Sequence, residues 1–253
     1  MARRRFFVDR VVAGEAELRG EEATHLARVL RAAPGQCYEI CDNHAVYLAE
    51  IREVARDRVA FRVIEPVNAP ALPVRILLCA ALIKFDRFEW LVEKATELGV
   101  AAILPVEAER SEKGLLEAAR KRVERWRKIA RESSQQSRRP SLTEIHAPVR
   151  LAECSAAASR LRYYLEEEPG APPLLTALPA APERPGCGEV TLLTGPEGGW
   201  SPGERGLLKA AGWAGVSLGP LILRAETAGL AAAAIVFHAW LAVAGEQGGE
   251  RLG

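Results

Sequence analysis

The sequence predicts an α/β protein with a mainly parallel sheet, preceded by a small β-rich domain, either a barrel or a sandwich. Three observations lead to this fold class. Residues 1–68 contain short, alternating, β-branched runs, a proline-rich segment follows, and from residue 73 onward near-continuous apolar runs alternate with helical periodicity. The composition, with 49% hydrophobic and 26% charged residues among 253, is typical of a globular protein. The formal net charge is +1, so nucleic-acid affinity would require local clustering of cations.

The first predicted domain, residues 1–68, consists of short strands separated by turn residues. Closely spaced short strands favour a small barrel or sandwich. One helix is expected at Glu21–Leu30, and Glu65–Pro73, with three prolines, is typical of an extended linker. The predicted strands are Tyr38–Ile40, Val46–Ile51 and Arg58–Ile64.

The second predicted domain, residues 73–253, begins with Val74–Ala80, a run apolar enough for a strand covered on both faces. Helical spacing from Phe88 to Leu98 ends at Gly99, a suitable C-cap. The alternation of strands and helices predicts a parallel sheet. Further predicted elements are a strand at Ala102–Val106, a long helix at Glu112–Gln136, strands at Leu161–Leu165, Glu189–Thr194 and Gly215–Leu218, and a loop at Pro169–Gly188.

Several classes of protein are disfavoured by what the sequence lacks. Its five cysteines form no C-x-x-C pair and fit a reducing, cytoplasmic setting. The N-terminus does not resemble a secretory signal, and the apolar stretch 225–244 contains Glu226 and His238, which argues against a membrane span. The four histidines are scattered without metal-ligand spacing, so no metal site is expected. A hydrolase elbow G-x-S-x-G is also missing.

A glycine-rich loop, Gly195–Trp200, follows the strand predicted at Glu189–Thr194. Ser201, Pro202 and Glu204 then form a capping box that begins a helix. Glycines at the carboxyl end of a parallel strand allow a ligand to approach the backbone, although a tight turn would explain them equally well. The loop matches neither a P-loop nor G-x-G-x-x-G.

A second segment of interest, Ser217–Leu230, places Arg224 and Glu226 where a helix is predicted to begin. Backbone N–H groups point outward at a helix N-terminus. The residues alone leave two interpretations open: an ion pair between Arg224 and Glu226 that caps the helix, or a functional site.

A basic segment covers residues 120–139, where nine cations and two anions give a net charge of +7. Such a run is often a solvated helix face. In a nearly neutral chain, however, the asymmetry favours a phosphate-binding surface. Arg3, Arg4 and Arg5 form a weaker second cluster.

Five segments together resemble the RsmE family of SPOUT methyltransferases, which methylate N3 of a uridine in small-subunit ribosomal RNA. Their order along the chain is also that of the family. The segments are His25–Gln36, Glu93–Val100, Trp126–Ala130 with Gln135–Arg138, Leu193–Ser201 and Leu218–Ala228. The family commonly has arginine where this chain has Leu221.

The resemblance implies a PUA-like RNA-binding barrel (1–68), a trefoil-knotted SPOUT domain (73–253), a homodimer, and S-adenosylmethionine as methyl donor, without a metal. It implies that Arg224 stabilises charge on the uracil oxygens and that Glu226 positions Arg224 or accepts the proton. The expected cofactor-binding residues are Leu165, Thr194, Gly195, Pro196, Glu197, Gly199, Leu218, Gly219 and Leu223. The expected RNA-binding residues are Arg4, Arg31, Arg122, Arg125, Arg131 and Arg138.

Two alternatives to this function remain. A related SPOUT enzyme could methylate a ribose 2′-hydroxyl or a transfer-RNA base on the same scaffold. The chain could also be a non-catalytic RNA-binding assembly factor with a vestigial pocket. The intact Gly195–Gly199 loop and the Arg224–Thr227 segment favour an enzyme.

Overall fold

The computed structural model describes residues 4–69, 71–155, 159–181 and 188–249, except for the side chains of 242–249. Arg3, Cys187 and part of the predicted loop 169–188 lie outside these residues. The chain forms two compact units. One contains Met1–Pro70 together with Arg131–Leu142, and the other contains Ala71–Ala130 together with Thr143–Gly253.

The first unit is built on a curled, five-stranded sheet. The elements are β1 (Arg5–Phe7), β2 (Glu15–Arg19), α1 (Gly20–Arg28), β3 (Cys37–Cys41), β4 (Val46–Val54) and β5 (Arg58–Val67). The strand order is β1-β3-β4-β5-β2, with β1 and β2 at the edges, and only the pairing of β1 with β3 is parallel. Helix α1 contributes the buried Leu26 to a core that includes Phe61.

The second unit contains a seven-stranded sheet in which every described pairing is parallel. The strand order is β12-β10-β11-β6-β7-β8, and β9 also pairs with β7. The strands are β6 (Arg75–Ala81), β7 (Ala102–Glu107), β8 (Glu144–Ile145), β9 (Val149–Arg150), β10 (Leu161–Leu165), β11 (Glu189–Thr194) and β12 (Ala214–Val216). The helices are α2 (Phe85–Glu97), α3 (Leu115–Arg120), α4 (Val123–Gln136), α5 (Leu151–Cys154), α6 (Leu174–Ala177), α7 (Pro202–Ala210) and α8 (Ala225–Gly249).

The predicted fold class, a mainly parallel α/β sheet with a separate N-terminal β-sheet unit, is confirmed. The prediction of one helix over Glu112–Gln136 is wrong, because the chain turns at Lys121 and Arg122 between α3 and α4. Packing explains the break. The Arg122 guanidinium lies 4.5 Å from the centre of the Phe85 ring, while Trp126 is fully buried against Phe88. A tertiary contact therefore overrides the continuous helical pattern.

Helix α8 packs one face into the core of the second unit through Ala232, Ala233, Val236 and Trp240. The indole N–H of Trp240 donates to the carbonyl of Pro179 at 3.2 Å. This face is thus a buried core face. Among the described helices, none combines the length and apolarity needed to cross a membrane.

Candidate active site

A cavity of about 790 Å³ lies at the carboxyl ends of β10, β11 and β12. These three parallel strands are neighbours in the sheet, so the loops that follow them meet at one edge. Residues 165–171, 195–200 and 217–225 supply most of the wall, and Arg87 joins them from the first turn of α2. The size and the mixed polar and apolar lining are those of a site for a small organic ligand.

The loop after β11 is shaped by close packing at its glycines. A Cβ at Gly195 would lie 3.1–3.3 Å from the buried ring of Trp200, so a side chain at this position would require the ring to move by a few tenths of an ångström. Gly199 adopts a φ of +66° beside the carboxylate of Glu167. The indole N–H of Trp200 donates to the carbonyl oxygen of Leu165 at 2.8 Å, which ties the loop to the end of β10.

A second tie between β10 and this loop is the buried ion pair of Arg205 and Glu166. Arg205 donates through Nε and Nη2 to the two Glu166 oxygens at 2.7 and 3.0 Å, and through Nη1 to the Trp200 carbonyl at 2.7 Å. Their side chains are 13% and 7% exposed. Burial raises the pKa of Glu166, but the hydrogen bonds and charge of Arg205 together with the backbone N–H groups of Glu167 and Glu168 outweigh this effect and hold the pKa below its ordinary value.

The predicted capping box at the start of α7 is confirmed, and it extends into a wider network. Glu204 accepts from the Ser201 backbone N–H at 2.9 Å and from the Glu109 N–H at 2.7 Å. The Ser201 hydroxyl donates to the Glu109 carboxylate at 2.5 Å, and Arg110 donates to the Gly198 carbonyl at 2.8 Å. The segment after β7 therefore holds the glycine loop and the start of α7 in place through these hydrogen bonds.

The loop after β12 presents apolar side chains at the cavity. Leu221 and Ile222 are 78% and 86% exposed, and Gly219, with a φ of +124°, has no atom within 4 Å of a built Cβ. Arg224 lies on the cavity wall just before α8. Among the described residues no carboxylate forms an ion pair with Arg224, so the alternative of an Arg224–Glu226 cap is not what the structure contains.

Glu226 instead lies beside Arg87. Its Oε1 is 4.0 Å from the Arg87 Nε, and its Oε2 has no hydrogen-bond partner among the described residues. Arg87 also pairs with Glu197 of the glycine loop. Glu226 itself is 6% exposed and is not part of the cavity wall.

The structure brings eight of the nine expected cofactor-binding residues to one cavity. Thr194 is the exception: it is buried, and its Cγ2 would lie 3.0 Å from a Cβ at Gly229, which places the side chain against α8. The eight are Leu165, Gly195, Pro196, Glu197, Gly199, Leu218, Gly219 and Leu223.

Sequence reasoning missed several cavity residues. Arg87 belongs to a helix that follows β6, and the sequence contained no signal that β6 pairs with β11. The acidic run Glu166–Glu168 directly follows β10, so its place at a strand end could have been noticed.

Most of the expected RNA-binding arginines are engaged with carboxylates. In the second unit Arg122 and Arg125 both bind Glu89, and the hydrogen bonds from Arg125 hold the pKa of Glu89 below its ordinary value. In the first unit Arg131 binds Glu22 at 2.7 Å and also donates to a backbone carbonyl.

Arg138 pairs with Glu39 in the same way. Arg4 and Arg31, by contrast, are exposed and pair with no carboxylate among the described residues. The basic segment is therefore partly neutralised, and of the six expected RNA-binding arginines only Arg4 and Arg31 form no ion pair with a described carboxylate. Within the described ranges, no group of three His, Cys, Asp or Glu residues is arranged to hold a metal ion.

Comparisons with known proteins place these features in a family. A family model described as an RNA methyltransferase domain matches residues 70–237. Ribosomal RNA small subunit methyltransferase E of Bacillus subtilis is 31% identical over 234 residues, covering 90% of this chain and 91% of the relative. The chain belongs to the ribosomal RNA small subunit methyltransferase E family.

Two further relatives agree with this membership. The protein of the same name from Mycobacterium bovis is 30% identical over 256 residues, and the alignment covers 95% of this chain and 95% of that relative. A crystal structure of the Neisseria gonorrhoeae family member, bound to S-adenosyl methionine, superposes with a TM-score of 0.83 at 26% identity, covering 94% of this chain and 98% of that one.

Proposed function

We propose that this chain transfers a methyl group from S-adenosylmethionine to N3 of a uridine in 16S ribosomal RNA. The observation that carries the proposal is the cavity where the Gly195–Trp200 and Ser217–Arg224 loops meet. The family members are named as small-subunit ribosomal RNA methyltransferases, and the Neisseria relative has the methyl donor bound, which supports both the substrate and the donor.

The residues of the cavity fit this donor. Gly219 leaves backbone accessible, and Leu165, Leu218 and Leu223 offer apolar surface for an adenine ring. Four glutamates line the wall, and Arg87, Arg224 and Arg205, which pairs with Glu166 and Glu168, do not fully balance them, which suits a cationic ligand. When bound, S-adenosylmethionine supplies an electrophilic methyl group on a positively charged sulfur.

Arg224 is assigned to stabilise negative charge on the uracil. N3 of uracil carries a proton and becomes a good nucleophile only when that proton leaves, so negative charge must be stabilised on the carbonyl oxygens. Arg224 is on the cavity wall and has no carboxylate partner among the described residues. Its guanidinium is thus free to donate a hydrogen bond to one carbonyl oxygen of the developing imide anion, which leaves N3 open to the methyl carbon.

Glu226 does not contact the uracil directly in this proposal, because it is buried and is not part of the cavity wall. As the bond from N3 to the methyl carbon forms, the bond from that carbon to the donor sulfur breaks, and the N3 proton passes to solvent water. The separate role of positioning Arg224 is not favoured, since Glu226 lies by Arg87 instead.

A single-turnover assay on Arg224→Gln tests the assignment. We expect the methyl-transfer rate at saturating donor to fall about 100-fold, because one charge-stabilising donor is lost, while donor affinity changes much less. Arg75→Gln is the matched control, since Arg75 pairs with Glu189 away from the cavity. An Arg224→Gln variant with the wild-type rate on RNA would remove Arg224 from the mechanism.

The unit that contains residues 1–68 is proposed as the RNA-binding domain, and 73–253 as the knotted methyltransferase domain of a homodimer in the cytoplasm. Exposed Arg4 and Arg31 support RNA binding by the first unit.

Exposed Leu221 and Ile222 support a contact between subunits. Light scattering after gel filtration tests the dimer: a mass near 55 kDa, twice the 27.5 kDa of the chain, is expected.

A further inference from the structure

One of the four carboxylates on the cavity wall has no cationic partner. Glu166 and Glu168 both pair with Arg205, and Glu197 pairs with the arginine of α2 that lines the cavity. Glu167, the fourth, is exposed, and its carboxylate forms no ion pair or hydrogen bond with any described residue. The negative charge that no arginine offsets therefore lies at Glu167.

The Glu167 carboxylate lies against the glycine loop that follows β11. A Cβ at Gly199 would overlap its Oε1 and would lie 3.2 Å from its Cδ. The φ of +66° at Gly199 also disfavours any L side chain at this position. Glycine thus leaves the space that the carboxylate occupies, and both residues line the cavity.

Hydrogen bonds hold the backbone that carries Glu167. Its N–H donates to Oε1 of Glu166 at 3.0 Å, and the N–H of Glu168 donates to the same oxygen at 3.2 Å. The Glu166 carboxylate is in turn bound by Arg205, and the Glu166 N–H donates to the carbonyl of Val216 in β12 at 2.8 Å. The segment is therefore positioned at the cavity before a ligand binds.

The chemistry of the donor determines which of its groups suits this carboxylate. S-adenosylmethionine carries two cations, the sulfonium and the α-ammonium of its methionine part. A sulfonium has no N–H or O–H to donate, and a carboxylate that loses water without gaining a hydrogen bond is destabilised. A ribose hydroxyl donates a hydrogen bond but brings no charge. The ammonium supplies both a positive charge and hydrogen-bond donors.

We propose that Glu167 binds the α-ammonium of S-adenosylmethionine through a charge-assisted hydrogen bond. This inference rests on the proposed function, because it takes S-adenosylmethionine as the donor. The contact is remote from the reacting methyl carbon, so it acts on affinity. It acts on donor and product alike, since S-adenosylhomocysteine keeps the ammonium after the methyl group has left.

Calorimetry with three ligands tests this assignment. S-adenosylmethionine carries both cations, S-adenosylhomocysteine keeps the ammonium but has a neutral sulfur, and 5′-methylthioadenosine lacks the amino-acid part. Glu167→Gln is compared with Glu168→Gln, which removes a wall charge that already has a partner. Glu189→Gln, at the opposite end of β11 from the cavity, is the control. A melting curve checks that each variant folds.

We expect Glu167→Gln to weaken the binding of S-adenosylmethionine and of S-adenosylhomocysteine about tenfold each, because a charge-assisted hydrogen bond becomes a neutral one. Its affinity for 5′-methylthioadenosine should equal that of the wild type. Glu168→Gln should weaken the two amino-acid ligands by less than about threefold, since its charge acts at longer range and is offset by Arg205. Glu189→Gln should match the wild type with every ligand.

Three results would overturn the proposal. Loss of affinity for S-adenosylmethionine alone would assign Glu167 to the sulfonium, and an equal loss for all three ligands would assign it to the adenosine part. Equal effects in Glu167→Gln and Glu168→Gln, including no effect in either, would leave no specific contact at Glu167.

Failure of the proposed function is read from the wild type. A wild type that binds neither amino-acid ligand would refute the donor and this inference together. A wild type that binds S-adenosylmethionine but methylates no RNA would refute the proposed function, and the calorimetric comparison would still decide the role of Glu167.

Discussion

Replacing Glu166 with glutamine removes one charge from a buried ion pair and leaves the Arg205 guanidinium without its main partner. Arg205 and Glu166 are 13% and 7% exposed, and two hydrogen bonds of 2.7 and 3.0 Å join them. Removing one member of such a pair costs about 3–5 kcal/mol. Because Glu168 and the Trp200 carbonyl still contact Arg205, we expect the lower value, about 3 kcal/mol.

Tryptophan fluorescence during urea unfolding measures this loss in the relevant unit. All five tryptophans lie in the second unit, so the first unit does not contribute to the signal. Glu168→Gln is the matched control: it removes the same charge from a side chain that is 61% exposed, and it should cost less than about 1 kcal/mol.

The pH dependence has a definite sign. The pKa of Glu166 lies below its ordinary value of 4.5 in the folded protein, so its ionic contribution is present above pH 4.5 and is lost as the pH falls through the folded pKa. The stability difference between wild type and Glu166→Gln should therefore stay constant from neutral pH down to about pH 5 and shrink below it. Equal losses of unfolding free energy in Glu166→Gln and Glu168→Gln would refute the stabilising role of the Arg205–Glu166 ion pair. A stability difference between wild type and Glu166→Gln that grows on acidification would also refute it.

Three other changes test the site. Gly195→Ala places a Cβ 3.1–3.3 Å from the buried Trp200 ring and should weaken donor binding about tenfold by calorimetry. Gly206→Ala, whose Cβ would have nothing within 4 Å, should bind the donor normally and raise the free energy of unfolding by about 0.5–1 kcal/mol. Equal donor affinities in the two variants would contradict the packing argument. Trp200→Phe loses the hydrogen bond donated to the end of β10 and should cost about 1–2 kcal/mol in urea unfolding, and an unchanged midpoint would count against that bond. Arg31→Gln should reduce the slope of log K for RNA binding against log salt concentration by about one. Arg125→Gln should reduce this slope by less, because Arg125 is already paired with a carboxylate. The reverse order would place the RNA-binding surface on the basic segment.

Local sequence signals predicted the longer elements of the second unit, such as β6, β11 and α2, because each is strongly patterned. They missed β8, β9, α5 and α6, which have only two to four residues, and α6 lies within the predicted loop 169–188. The capping box at Ser201 fixed the start of α7 to the residue, and β6 and β11 followed from their apolar runs. Strands β1 and β2 escaped prediction because β1 has only three residues and β2, although it alternates, contains no β-branched or aromatic residue. The break before α4 escaped because a contact with Phe85, distant in sequence, decides it.

The candidate site was partly predictable for a similar reason. Its two loops are glycine-containing segments at strand ends, which the sequence alone marks out. The ion-pair partner of each charged residue, by contrast, could not be predicted from the sequence. Arg87 meets Glu197 and Glu226, and Arg205 meets Glu166, only because the sheet order brings their elements together, and no local pattern encodes that order.

The most direct test of the account is methyl transfer from labelled S-adenosylmethionine to small ribosomal subunits that lack the modification, with naked 16S RNA in parallel and nucleoside mass spectrometry of the product. The account predicts N3-methyluridine at one site. A ribose-methylated or different base-methylated nucleoside would contradict the proposed substrate, and donor binding without transfer to either RNA would contradict the proposed reaction on the small subunit.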